Sequence, residues 1–494
     1  MSYNLKSRFL LLLSFCVVGF NSAFAQSGIS LYHLTNSTYQ GSNFNPAFFP
    51  EGKTFIGLPV LSGIMIDYNG RVNYEDAITT NEIGEREWDI DNFVDNAKKR
   101  NYISMEAEIS TLHVAWRKSK TQAFSLFVRE RIGARGFYGE NVVKTAWYGN
   151  STLVGDEIDL SRTALDVRYY REYGFGVWRS IPNRGINIGV RVKFLNGMVS
   201  AVTDNKFDGS IGFEENSYIA NFDLNSATIN TSGLNIIDAG GSDLTSHMIS
   251  NGNLGAGIDL GAHWKITNEL SAAVSVNDLG FIRWKVDPEN YLMADTTFRF
   301  EGIDLADVGN FEDAYLDSLQ NRLQDTTLNR AYTTGLNTSS YASLMYQLTP
   351  NDRFTGSIAS YIVRGNFRMI YSAAYTRKVG RVLDVSANVS RIPQQGIDLG
   401  LAAAVNFGSC QIYMASDKLL RIWDVTKIDA VDFRFGFNLV FNGKGKSPKD
   451  DNSDLTHPSP YGKKEKVEKS DGIYWIIRKQ KPRPVYEKTR FKDY

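Results

Sequence analysis

Hydrophobic and polar residues alternate with period two over much of the chain, in segments about ten residues long. In 185–194, Ile186, Ile188, Val190, Val192 and Phe194 share one face, and Gly185, Asn187, Gly189, Arg191 and Lys193 share the other. Side chains of a strand point to opposite faces in turn, so this segment predicts a strand with one apolar and one charged face. The pattern returns in 257–266, 383–390, 396–407 and 165–177. The last such segment, 431–441, sets Val431, Phe433, Phe435, Phe437, Leu439 and Phe441 against Asp432, Arg434, Gly436 and Asn438. These strands are long for a soluble sheet and match the ~9–11 residues that a tilted strand needs to cross a bilayer.

Connections alternate between short and long. Short turns fall at 118–120, 181–184, 267–268, 350–352, near Gly380 and at 408–409. Long connections fall at 69–104, 136–160, 197–252, 285–332 and 417–430, with a shorter one at 391–395. Transmembrane β-barrels have short periplasmic turns and longer outer loops. The expected fold is therefore all-β: a transmembrane antiparallel β-barrel of about 14 strands. The number rises to 16 if a hairpin in 197–252 enters the wall. Both numbers leave the two ends of the barrel in the periplasm.

The flanking segments complete the expected organisation. Lys6 and Arg8, the apolar run 9–20 and Ala23-Phe24-Ala25 form a secretory signal over 1–25, with cleavage before Gln26. Residues 26–53 precede the first strand as irregular chain, since Pro46 and Pro50 forbid a regular strand or helix there. They are expected to fold into the barrel mouth as a hatch. Residues 54–441 form the barrel. Residues 442–494, with 14 basic and 8 acidic side chains, form a basic, disordered periplasmic tail. A helix is expected at 311–324, where Phe311, Tyr315, Leu319 and Leu323 recur every fourth residue.

Whole-chain charge is balanced, 54 basic against 54 acidic side chains, which gives no surplus for binding nucleic acid. Removal of the signal takes Cys16 and leaves Cys410 without a partner. The five histidines show no metal-ligand spacing, and no nucleophile–base pattern stands out. The residues therefore point to no enzyme, no metal and no cofactor. Candidate lumen-facing charges are Arg129, Arg131, Arg168, Arg191, Lys193, Asp259, His263 and Asp398, with Asp166 and Glu172. Opposite charges in one lumen are expected to cross-link it.

Asn45-Pro46-Ala47, flanked by Phe44 and Phe48 and shortly after a signal, resembles the hatch motif of the long-chain fatty-acid transporter (FadL-like) superfamily. Phe44–Phe48, Ile56–Leu61, Val276–Ile282 and Phe433–Phe441 resemble more closely an uncharacterised Bacteroidota outer-membrane family within it, related to the PorV-like shuttle barrel of type IX secretion. Gly436, Phe437, Leu439 and Phe441 resemble the β-signal read by the barrel assembly machinery. The resemblance implies an outer-membrane barrel in contact with lipid, with a hatch and a lateral opening. One function it allows is binding or transport of a hydrophobic small molecule, in an apolar pocket near Phe44, Phe48 and Phe49. The alternative is an accessory barrel of a secretion, motility or assembly complex, docking a partner protein through 442–494.

Overall fold

The structure is a computed structural model. It describes residues 28–441 except 36, 51, 71–77, 81–82, 84, 149–154, 156, 205–207, 215–218, 235–251, 301–326, 364–365, 381, 393–394 and 423–428. The signal, the helix expected at 311–324 and the basic tail lie outside the described residues.

Fourteen antiparallel strands close into one barrel. Strand β1 comes in two pieces, Thr54–Gly57 and Ile64–Gly70. It is followed by β2 (Asn101–Ser119), β3 (Gln122–Tyr138), β4 (Ala164–Ile181) and β5 (Ile186–Thr203). Next come β6 (Leu254–Lys265), β7 (Leu270–Trp284) and β8, again in two pieces, Tyr332–Gly335 and Ser339–Thr349. The wall is completed by β9 (Asp352–Val363), β10 (Asn366–Val379), β11 (Leu383–Ile392), β12 (Gly396–Phe407), β13 (Cys410–Ser416) and β14 (Ala430–Phe441). Each strand pairs with its sequence neighbours. β14 closes the ring on β1, through Thr54↔Phe441 and Ile64↔Phe435.

The choice between 14 and 16 strands is decided by β5 and β6. They pair directly from Asn196↔Leu254 to Ile186↔Trp264, which leaves no room in the wall for a hairpin from 197–252. Strands Asp208–Phe213 and Ala220–Ser232 instead extend the sheet beyond the barrel with Pro288–Phe300 and Glu157–Asp159. Ile158, Leu160, Phe213, Ala220 and Leu224 form the small core of that extension.

The wall is inverted relative to a soluble protein. Val192, Phe194, Trp264, Phe281, Leu344, Phe354 and Phe433 are exposed on the outside, whereas Arg191, Lys193, Asp259 and Arg434 are buried inside. Water would not tolerate an apolar outer surface of this extent on a monomer, and hydrocarbon would. No helix among the described residues is long and apolar enough to cross a membrane. A closed barrel meets the same requirement, because every strand finds a neighbour for its backbone N–H and C=O groups.

Several irregularities interrupt the wall, and two of them bear on the interior. Between the pieces of β1, Pro59 removes a donor and Val60 adopts a left-handed backbone (φ 67°). On β7, register slips opposite Ile258 and Leu260, and Asp278 takes a left-handed backbone (φ 59°). Before that bulge the exposed residue is Val274, and after it Leu279 and Phe281, so the outward phase moves by one residue.

Candidate functional site: a plug beneath a belt of charge

Residues 28–50 lie inside the barrel as a plug at the short-turn end, and nearly all of those described are buried. Against expectation, the segment is not irregular throughout but begins with a short helix, α1 (Ile29–His33), and a 3-10 turn at Tyr39–Asn43, both ahead of Pro46. Its apolar side chains meet small ones on the wall. Leu31 and Leu34 pack on Ala402, Ala404, Tyr413 and Ala415; Tyr39 and Phe49 pack on Ala115, Ala123 and Trp178. Ile29, Tyr32 and Phe48 join Tyr341, Met345, Ala359, Tyr361 and Ile370.

Hydrogen bonds tie the plug to strands all round the ring. The Asp417 carboxylate accepts from the Ile29 and Ser30 N–H groups at 3.0 and 2.7 Å. Arg353 donates to the His33 carbonyl at 2.5 Å and to Thr35 Oγ1 at 2.8 Å. Gln40 Nε2 donates to Asn438 Oδ1 at 2.8 Å, and Arg191 donates to Ser42 and Asn43.

The Asn-Pro-Ala motif is the most tightly fitted part. Asn45 Oδ1 accepts from the Ala47 N–H at 2.9 Å and closes a local turn. Its Nδ2 donates to the Val274 carbonyl at 3.2 Å. Ser275 Oγ and Asn277 Nδ2 donate to the Phe44 carbonyl at 2.6 and 2.7 Å, and Trp178 Nε1 donates to the Ala47 carbonyl at 2.8 Å. The wall is recessed here by two glycines, Gly189 on β5 and Gly261 on β6, which are register partners. A Cβ on Gly189 would lie 2.0 Å from the Pro46 carbonyl carbon, and one on Gly261 2.1 Å from Asn45 Oδ1.

Above the plug runs a belt of buried ion pairs. Arg129 binds Glu108 at 3.0 Å and Glu172 at 2.5 Å. Lys193 binds Asp259 at 2.7 Å and Asp278 at 2.6 Å. Arg131 reaches Asp278 at 2.9 Å. The remaining sequence candidates lie elsewhere. Arg168 pairs with Asp166 at 2.7 Å towards the long-loop end. Asp398 holds the outer loop through Arg421 at 2.9 Å and the Leu420 N–H at 3.1 Å. Arg191 serves the plug, and His263 lies edge-on to Phe48 at 5.9 Å.

Several charges in this region escaped the sequence reading, among them Glu108, Arg353, Asp278, Asp417 and Lys418. Asp278 breaks the alternation, and the shift of outward phase within Val274–Phe281 is the signal that could have found it. Asp417 and the fully buried Lys418, which binds Asp67 at 3.0 Å, follow β13 in a long connection where alternation carries no information.

Two chambers flank the belt. The inner one, of about 60 Å³, lies against the plug and is lined by Leu31, Phe44, Ile64, Met65, Tyr341 and Tyr413, with Arg129, Arg131, Lys193 and Arg434. The outer one, of about 30 Å³, is lined by Glu106, Arg131, Arg135, Asp166, Arg168, Tyr170 and Leu336. The apolar pocket expected around Phe44, Phe48 and Phe49 takes a different form. Phe48 and Phe49 are spent in packing against the wall, only Phe44 lines the chamber, and much of the remaining lining is charged.

A closed, plugged barrel of fourteen strands with a polar lumen and an apolar outer face defines a transmembrane β-barrel of the outer-membrane type. The chain belongs to a family of unknown function, DUF5723, which it matches over residues 46–417. No curated protein matches it. Among solved structures it is similar to a FadL homologue of Pseudomonas aeruginosa, at 11% identity and TM-score 0.41, covering 81% of this chain and 93% of that one. It is also similar to the toluene transporter TbuX of Ralstonia pickettii, at 9% identity and TM-score 0.40, covering 87% and 100%. The toluene transporter TodX of Pseudomonas putida matches at 10% identity and TM-score 0.37, covering 82% and 94%.

Proposed function

We propose that this protein is a plugged outer-membrane channel that takes up a small amphiphile, a molecule with an apolar body and a polar or charged head. The observation that carries this reading is the inner chamber. Its floor is the plug, through Leu31 and Phe44; its sides offer Ile64, Met65, Tyr341 and Tyr413; its far side is the charge belt. With plug and belt in place the chamber holds about 60 Å³, room for a few water molecules, so a solute is admitted only as plug or belt moves. Arg129, Arg131 and Lys193 are already paired with carboxylates, so a solute with a head group that competes for these pairs is favoured over a purely apolar one. Exit follows plug displacement, or runs sideways where β1 is broken beside Gly63 and Ile64, which also line the chamber.

A second reading, a closed accessory barrel that docks a periplasmic partner through 442–494, is favoured by the mutual pairing of the lumen charges. One experiment separates the two. The protein is purified from its native membrane in mild detergent, and the lipids and proteins that accompany it are measured by mass spectrometry. A stoichiometric amphiphile without a protein partner supports the channel. A stoichiometric protein, lost when 442–494 is removed, overturns it in favour of the accessory barrel.

A further inference from the structure

The two chambers meet where Met65 lies beside the Arg131–Asp278 ion pair. Arg131 and Asp278 line both of them. Arg131 Nη1 lies 3.0 and 2.9 Å from the two Asp278 oxygens, and Lys193 Nζ adds a contact of 2.6 Å. The carboxylate thus stands between the outer vestibule and the space above the plug.

Asp278 is held in an unusual backbone. Its φ of 59° is left-handed, which an L-residue adopts at a cost. Its N–H donates to Asp259 Oδ1 at 2.8 Å, and its carbonyl accepts from Thr338 Oγ1 at 3.1 Å. These bonds and the two cations keep it there. The preceding residue, Asn277, faces the plug and donates to the Phe44 carbonyl at 2.7 Å, directly before Asn45-Pro46-Ala47. One dipeptide on a β-bulge therefore grips the partition with one side chain and the plug with the other.

We propose that the Arg131–Asp278 pair is the inner gate of the channel, and that Asn277 transmits its opening to the plug. The inference rests on the channel reading above. A charged group on the solute that replaces one partner of the pair removes a bond that holds the bulge. The backbone at 278 then relaxes, Asn277 moves with it, and the Phe44 carbonyl loses a donor. Solute arrival and plug release are coupled by adjacent residues rather than by a long relay.

The full-length protein in planar bilayers tests this, with plug exposure followed by chymotrypsin. Asp278→Asn and Arg131→Gln should each raise ion conductance about tenfold or more, as loss of a charge-assisted bond allows. Each should also speed cleavage within 28–50. Asn277→Ala should speed that cleavage alone, and adding Asp278→Asn to it should speed it no further. Heat-modifiable migration in detergent gels shows which variants hold a folded barrel, and Arg131→Gln leaves the bulge sequence intact should Asp278→Asn fail to fold. Unchanged conductance and cleavage in both single variants overturn the gate. Additive effects on cleavage overturn the coupling. A variant with its plug displaced, Gly189→Ala, is the reference. If Gly189→Ala combined with Asp278→Asn does not conduct, the channel reading fails; if Gly189→Ala conducts while Asp278→Asn stays closed, only the gate fails.

Discussion

Gly189→Ala is the smallest change expected to unseat the plug. The new Cβ would sit 2.0 Å from the Pro46 carbonyl carbon and oxygen and 2.5 Å from the Ala47 nitrogen. These are backbone atoms, so no side-chain rotation relieves the clash. Ordinary contact needs about 3.5 Å, so Pro46 must retreat by roughly 1.5 Å. Such a movement breaks the bonds from Trp178 to the Ala47 carbonyl and from Ser275 and Asn277 to the Phe44 carbonyl. At about 1 kcal/mol each, the loss is about 3 kcal/mol, or roughly 150-fold in the ratio of seated to unseated plug. The wall itself has no reason to unfold, since alanine is well tolerated facing the lumen elsewhere, as at Ala115 and Ala402. Chymotrypsin is the suitable probe, because the plug carries Tyr32, Tyr39, Phe44, Phe48 and Phe49 but no Lys or Arg. Cleavage within 28–50 should speed up while heat-modifiable migration of the barrel persists. A cleavage rate equal to that of the unaltered protein would refute the claim that the glycine pair exists to receive the motif.

Two further outcomes follow from the same geometry. Burial, with the Arg353 guanidinium alongside, pushes His33 down to about 3, whereas an unseated, solvated histidine titrates near 6.5. The proton therefore favours the unseated plug below pH 6.5. Seating should weaken by about 2 kcal/mol at pH 5 and not change above pH 7; His33→Gln should flatten that dependence, read by chymotrypsin protection against pH. Phe441→Asp, which puts a charge on the exposed face of β14 beside Thr54, should lower the amount of assembled barrel in outer-membrane fractions. Normal levels would remove the assembly-signal role of that strand.

The barrel was legible in the sequence because its two solvents, hydrocarbon outside and a polar lumen inside, write opposite preferences onto alternate residues. Strands such as Ile186–Thr203 show this plainly. The side of the wall taken by Arg129, Arg191 and Lys193 follows from phase alone. Their partners do not. Arg191 joins the plug while Lys193, two residues on, joins the belt, a difference set by height in the lumen. The fit of Asn45-Pro46-Ala47 to Gly189 and Gly261 was also out of reach, since it depends on which strand ends up opposite the motif. The 14-strand ring could be told from 16 only by the direct pairing of β5 with β6, a contact between segments separated by the long 197–252 connection.

The plug also constrains the order in which the molecule can be made. Gln40, near the start of the folded chain, bonds Asn438, 398 positions later, and Ser30 bonds Asp417. The first residues of the fold are therefore without their final partners until nearly all the rest has been delivered to the membrane. Contacts this distant in sequence form slowly. A barrel that has closed around a correctly seated plug has thereby had its first and last described segments inspected against each other. A chain truncated before β14, or threaded in the wrong register, would be left with an unclosed mouth and a loose amino-terminal peptide, open to periplasmic proteases. The piece that fills the barrel mouth in the finished protein is, during assembly, a built-in proof of completeness.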